Sequence, residues 1–342
     1  MNRINALALA GIGGVAALLL LQKKETYEFR DKVVLITGGS RGLGLVLARQ
    51  LGEQGARVAI IGRDGATLAD AERDLRERGI DVLAFPADVR SQSEATNAVE
   101  RVVKHFDRID VLVNNAGVIA VSPLDHLTVE DFETAIATHT YGPLYTMLAA
   151  IPHMRAQGSG RIANISSIGG RVAVPHMLPY STSKFALIGL SDGMRSELAS
   201  DNIKVSTICP GLMRAGSHYN ALFKGNHQAE FAWFSIFDSL PGLSISVERA
   251  ATKIVDAISR GAPHLTISAP AKIAGGVNGL APGVVAAGTA LFGSLLPGYA
   301  GPQGDEMKAG SESGSPASPS ILTTLNDQAA ARNNELGRAV GE

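Results

Sequence analysis

The sequence predicts an α/β fold, a parallel sheet of about seven strands doubly wound with helices on both faces. Three observations carry that expectation. Short β-branched runs recur along the chain, helical patterns separate them, and a glycine-rich turn joins the first run to the first helix. Strands alternating with helices need right-handed crossovers, which put ligands at the carboxyl ends of the strands.

The first run, Val33–Thr37, has no helical period and reads as a strand buried on both faces. It leads into Gly38-Gly39-Ser40-Arg41-Gly42-Leu43-Gly44, and a helix follows from Leu43 to Gln54 with Val46, Leu47 and Leu51 on one side. Strand, glycine turn and helix start together make a site for a pyrophosphate. Glycines let backbone N–H groups approach the anion, and the helix N-terminus adds partial positive charge. The second strand, Arg57–Ile61, ends in Gly62-Arg63-Asp64. A site for NAD usually has an acid near this strand end, for the ribose 2′-hydroxyl. Gly62 stands there instead and Arg63 follows; with Arg41 in the turn, two cations suit a 2′-phosphate. NADP(H) is therefore expected over NAD(H), with Asp64 the nearby acid that argues the other way. Further strands are expected at Asp81–Phe85, Ile109–Val113, Arg161–Ile165, Lys204–Ile208 and His264–Ile267, with helices such as Ala66–Arg78 and Gln92–Phe106 between them.

Tyr180 and Lys184 sit four residues apart, and Ser167 lies thirteen residues before the tyrosine. Four residues is just over one helical turn, so phenol and ammonium share a helix face. A free tyrosine, with a pKa of about 10, is a poor acid or base near neutrality. A fixed cation favours the phenolate and lowers that value into a useful range. A serine hydroxyl alongside could hold a carbonyl oxygen. Alone, this pairing is also what an ordinary surface helix carries; the upstream turn is what gives it meaning.

Taken together, Thr37-Gly38-x-x-x-Gly42-x-Gly44, Asp88-Val89, Asn114-Asn115-Ala116-Gly117, Ser167, Tyr180-x-x-x-Lys184 and Pro210-Gly211 resemble the short-chain dehydrogenase/reductase family over roughly residues 30 to 265. The resemblance implies a Rossmann-type fold and a nicotinamide cofactor. Thr37, Gly38, Gly42 and Gly44 would shape the phosphate turn, with Ser40, Arg41 and Leu43 inside it. Asp88 would meet the adenine, Val89 line its slot, and Asn115, Ala116 and Gly117 lie beside the adenine ribose. Tyr180 would be the acid in reduction or the base in oxidation. Lys184 would bind the nicotinamide ribose and depress the tyrosine pKa. Ser167 would hold the substrate oxygen, its spacing fitting better than that of Ser166, and Pro210-Gly211 would border the nicotinamide. The family also commonly forms dimers or tetramers, so a homo-oligomer is expected.

Two positions depart from the family pattern. His139 stands where an asparagine usually helps hold a relay water. A histidine could serve there, or be a packed bystander. Ala215 stands where a threonine often contacts the carboxamide, and Ser217 or a backbone group would have to compensate.

Composition bounds the rest. With 45% hydrophobic residues, 18% charged and net charge −1, the chain suits one large domain with appendages and gives no electrostatic reason to expect nucleic acid. Cys209, the single cysteine, reads as an inert core thiol, and no cluster has metal-ligand spacing. The dinucleotide-binding domain is placed at 28–270. Before it, 1–24 contains eighteen uncharged residues from Ile4 to Leu21, at the short end for a membrane span, with no small-x-small cleavage site after it. Lys23, Lys24, Arg30 and Lys32 then place the domain on the cytoplasmic side of a single-pass anchor; a packed or interfacial helix is the rival. After the domain, 271–300 is apolar and glycine-rich, either lying on a membrane or covering a partner subunit. The tail, 301–342, reads as mostly disordered, with a weak helix near Asn326–Leu336.

Five aromatics, Phe223, Phe231, Trp233, Phe234 and Phe237, crowd the segment that in this family folds over the substrate. They suit a lipophilic substrate or ordinary lid packing, and His218 and His227 in the same stretch read as solvated. The leading expectation is an NADP(H)-dependent carbonyl reductase, or the reverse alcohol dehydrogenase, acting on a lipophilic molecule. An NADPH-binding sensor or scaffold with little turnover is the alternative from another class, and a soluble reductase of small polar ketones is a third.

Overall fold

Alternation along the first strand builds both halves of the core. The computed structural model describes residues 27–336, and in it β1 (Val33–Thr37) is buried throughout. Successive side chains of a strand point to opposite faces. Val34 and Ile36 therefore join a core with α1 (Gly42–Glu53), α2 (Gly65–Glu77) and α8 (Val247–Arg260), while Val33 and Leu35 face α3 (Gln92–Phe106), α5 (Gly142–Ala156) and α6 (Leu178–Glu197).

The remaining strands are β2 (Arg57–Gly62), β3 (Val82–Pro86), β4 (Val111–Asn114), β5 (Gly160–Ile165), β6 (Ile203–Pro210) and β7 (His264–Ile267). They pair in parallel as one seven-stranded sheet, in the order 7-6-5-4-1-2-3. This is the expected doubly wound, Rossmann-type architecture. Strand order reverses between β1 and β4, which opens a crevice at their carboxyl ends. Every expected strand lies within two residues of its observed bounds.

Between β4 and β5 the chain forms α4 (Val129–Ile136), a π-helical turn at Ala137–Tyr141, and then α5. After β6 comes a lid containing α7 (His227–Ser239). Its Phe231 and Phe234 pack with Phe223, Val121, Met177 and Ala221 in a satellite core, with Trp233 half-buried against them, so four of the five aromatics are packing residues. Trp233 and Phe237 also meet Phe292 of the following hairpin, at ring centroids of 6.1 and 5.7 Å. His218 corrects the expectation of a solvated lid residue: it is buried between Asn326 and Asp327.

The apolar glycine-rich stretch forms two twelve-residue helices, α9 (Ala269–Leu280) and α10 (Pro282–Gly293), broken at Ala281-Pro282. Ile273, Leu280, Val284, Leu291 and Leu295 are exposed along it. No helix among the described residues is long and apolar enough to cross a membrane. The 1–24 anchor lies outside the described residues.

The tail departs from expectation. Between 301 and 336 it is folded onto the domain rather than mostly disordered. Lys308–Ala309 pairs antiparallel with Leu222–Phe223, which pairs in turn with Ala120–Val121. Ser318 is fully buried, with its Oγ 2.7 Å from that of Ser235 on α7. The serines that make the segment look like a linker satisfy buried polar groups, which composition alone does not reveal. α11 (Thr324–Arg332) then carries the chain back to the glycine turn.

Candidate active site

The carboxyl edge of the sheet gathers nearly every residue singled out from the sequence. At the end of β1, Thr37 Oγ1 accepts hydrogen bonds from the backbone N–H groups of Asn115 and Ala116, both at 3.0 Å. Asn115 Nδ2 donates back to the carbonyls of Thr37 and Gly38, at 3.1 and 3.0 Å. These bonds tie the two strands flanking the crevice. Glycine is required in the turn: a Cβ on Gly44 would stand 2.1 Å from the Gly38 oxygen, and Gly42 has φ +54°. The backbone thus comes as close as a pyrophosphate cradle needs. Asp64 caps α2 through Thr67 N–H and Oγ1, each 2.6 Å from Oδ1. Its carboxylate is committed to the helix, leaving Arg63 exposed beside it. Asp88 is held by Arg90 at 2.6 Å, Val89 packs beneath it against Gly142, and Gly117 is exposed nearby. Pro210 ends β6, and Gly211 N–H donates to the Ile267 carbonyl at 3.1 Å.

Ser167, Tyr180 and Lys184 come together across β5 and α6. Ser167 Oγ accepts from Gly169 N–H at 3.0 Å and lies beside the Tyr180 side chain, near enough to act on its phenol. Ser166 is excluded, since its hydroxyl donates to the Lys184 carbonyl at 3.0 Å. The cationic end of Lys184 lies 5.6 Å from the centre of the Tyr180 ring and donates to the Ile165 carbonyl at 2.9 Å. Electrostatics here differ from the sequence expectation. Burial pushes the Tyr180 phenol up to about 12, the Ser167 hydroxyl working against it and buried Asp238 with it. Burial also brings Lys184 down to about 7, so it holds much less positive charge than a solvated lysine. The half-buried Tyr180 ring borders the cavity, where solvent moderates its rise. The phenol is nevertheless a proton carrier at neutral pH, the form an acid needs.

His139 corrects a second expectation. Its Nε2 accepts from Val118 N–H at 3.0 Å, so Nδ1 carries the proton and donates to Ser183 Oγ at 2.7 Å. Ser183 donates in turn to the Tyr180 carbonyl at 2.8 Å, and the imidazole sits edge-on to the Tyr180 ring at 5.4 Å. Both nitrogens are engaged, and burial with the Lys184 charge keeps the ring neutral. No nitrogen is left for a relay water, so the ring braces the segment that carries Tyr180. Ala215 is buried in the core cluster shared with α8 and brings no hydroxyl to the site.

A cavity of about 350 Å³ opens beside Tyr180, with Val118, Ala120, Leu222 and Met307 among its apolar walls. It also holds a buried ion pair, Lys224 to Asp131 at 2.6 Å. Sequence reasoning missed this pair, because its partners are 93 residues apart. It missed Asp238 as well, a buried carboxyl pushed up to about 8. It also missed the contribution of the tail, Met307 and Asp305, to the cavity wall.

A glycine-turn crevice next to a serine–tyrosine–lysine group with a buried lysine points to a nucleotide-dependent oxidoreductase. Comparison with known proteins fixes the family: a model of the short chain dehydrogenases matches residues 32–222, and the chain belongs to that family. An uncharacterized oxidoreductase of Staphylococcus saprophyticus is 36% identical over 54% of this chain and 80% of its own length. Among solved structures, the actinorhodin polyketide ketoreductase with NADPH aligns at TM-score 0.62 and 29% identity, covering 70% of this chain and 96% of that one. L-Sorbose reductase from Gluconobacter frateurii, complexed with NADPH and L-sorbose, aligns at TM-score 0.64 and 25% identity, covering 72% and 97%.

Proposed function

We propose that this oxidoreductase reduces a carbonyl group on a lipophilic substrate, using NADPH, with Tyr180 as the general acid. The observation that carries this reading is the protonated phenol beside Ser167, on the wall of a cavity where Val118, Ala120, Leu222 and Met307 offer apolar surface next to charged groups. NADPH fits the donor set: the glycine turn supplies a backbone cradle, and Arg41 and Arg63 supply charge for a 2′-phosphate. The NADPH-bound ketoreductase and sorbose reductase support the same choice. A bound reduced nicotinamide would supply the hydride for the carbonyl carbon. Ser167 orients the carbonyl oxygen, and Tyr180 Oη gives that oxygen its proton as negative charge develops. Lys184 holds the nicotinamide ribose and stabilises the phenolate left behind.

The apolar ends support a membrane setting: an anchor at 1–24 with the catalytic domain on the cytoplasmic side, and the α9–α10 hairpin resting in one leaflet. Twelve residues reach about 18 Å as a helix, short of the roughly 30 Å hydrocarbon core. The partners in this reading are the lipophilic substrate, the bilayer and further copies of the chain. The test is NADPH consumption with long-chain ketones and aldehydes, alongside carbonate extraction of membranes. No turnover on any carbonyl, with NADPH still bound tightly, would favour the sensor or scaffold alternative that His139 and Ala215 keep open.

A further inference from the structure

The C-terminal segment lies in the dinucleotide crevice. Gly42 N–H, in the middle of the glycine turn, donates to the Asn333 carbonyl at 2.8 Å. Asn334 Nδ2 donates to the carbonyls of Ser40 and Thr67, both at 3.0 Å. The Glu335 carboxylate lies against the turn so closely that a Cβ on Gly42 would be 2.3 Å from its Oε1. Arg41 is taken up as well, with Nη1 donating to Asn220 Oδ1 at 2.6 Å and Nε 3.6 Å from Glu335 Oε2. Asn220 Nδ2 closes the group by donating to the Glu335 main-chain oxygen and Oε2, at 2.7 and 2.6 Å.

These are the groups an adenosine phosphate would use: a turn amide, a cation and the open face of a glycine. A carboxylate now stands where the site's chemistry calls for a phosphate. Resting on the NADP(H) reading of this crevice, we infer that residues 333–335 are an internal competitor for the dinucleotide, and that the segment must leave the glycine turn before NADP(H) can seat.

The docked segment is held firmly enough to compete yet is suited to release. Arg49 fixes its base, donating to Asn333 Oδ1 at 3.0 Å and to the Arg332 carbonyl at 3.1 Å. Upstream, Asn326 Oδ1 receives Gly216 N–H at 2.8 Å, so α11 can stay docked while the end swings out. Against this, Asn333 Nδ2 is buried without a hydrogen-bond partner among the described residues. Burial also pushes the Glu335 carboxyl up to about 7, an energetic cost that a solvated tail does not carry. A binding-competent state populated only in part weakens apparent affinity by that fraction.

The experiment titrates NADPH into the full chain and into the full-length double variant Asn334→Ala/Glu335→Ala, following the cofactor's fluorescence, with melting curves to show that both are folded. The variant is expected to bind about tenfold tighter or more, since several competing hydrogen bonds are lost. Hydrogen exchange on the unmodified chain gives the second readout: NADPH should remove protection from the amides of 333–336 while leaving β1 protected. Equal or weaker binding by the variant, or unchanged protection of 333–336 in the bound state, would overturn the inference while leaving the cofactor reading intact. Absence of NADPH binding by both proteins would defeat the cofactor reading, and the inference with it.

Discussion

Tyr180→Phe tests the proposed chemistry most directly, because the structure separates its catalytic cost from its structural one. The change removes one hydroxyl. The ring keeps its edge-on contact with His139 at 5.4 Å and its packing against the satellite core. What is lost structurally is at most the polar contact of one hydroxyl with Ser167, worth about 1 kcal/mol. In a domain of this size that lowers the melting temperature by roughly 2–4 °C. What is lost catalytically is the positioned acid, worth roughly 10²- to 10⁴-fold in rate, or about 3–5 kcal/mol in the barrier. The two costs differ enough to tell apart. Turnover is followed as loss of NADPH absorbance with saturating long-chain ketones and aldehydes, with NADPH affinity and melting temperature measured beside it. The expected result is intact cofactor binding, a small fall in melting temperature and a collapse in turnover. A variant that keeps more than about a tenth of the wild-type rate would refute Tyr180 as the acid.

The remaining predictions concern the cofactor, the turn, the cavity and the buried lysine. Arg41→Ala with Arg63→Ala should raise the Kd for NADPH by about 10- to 100-fold, as loss of charge-assisted bonds does, with much less effect on NADH; equal losses for both would remove the 2′-phosphate argument. Gly44→Ala puts a methyl 2.1 Å from the Gly38 oxygen, so calorimetry should show a marked loss of stability, and an unchanged melting temperature would refute the close approach. Asp131→Asn strands the Lys224 charge in a buried site and should cost about 3 kcal/mol or more, read by denaturant titration. For Lys184 the sign follows from burial lowering its pKa from 10.5 to about 7 in the fold. Between those values the unfolded chain binds the extra proton, so stability should rise with pH across that window. Lys184→Met removes the penalty; its advantage in melting temperature should be largest near pH 6 and close towards pH 10.

How much was legible can be argued from particular residues. Val33–Thr37, the glycine turn and Tyr180-x-x-x-Lys184 were readable because their signals are local: a strand period, a turn that needs glycine, a four-residue helical spacing. The spacing to Tyr180 favours Ser167 over Ser166, whose hydroxyl the fold commits to the Lys184 carbonyl. The direction of the Tyr180 pKa was not. Distance between phenol and ammonium suggests a fall, but burial of both groups reverses it, and burial is a property of the whole packing arrangement. His139 was visible as a departure, while its two committed nitrogens depend on Val118 and Ser183, far from it along the chain.

The sequence by itself determined the sheet, the turn and the candidate serine–tyrosine–lysine trio, since each is written in a local stretch of chain. Tertiary structure alone decided that a serine-rich tail folds back, that it walls the cavity with Met307, and that Glu335 meets Gly42 across nearly the full length of the chain. Those contacts join segments with no shared periodicity or motif. Only the packed chain lays the Asn333 carbonyl and the Glu335 carboxylate against the glycine turn.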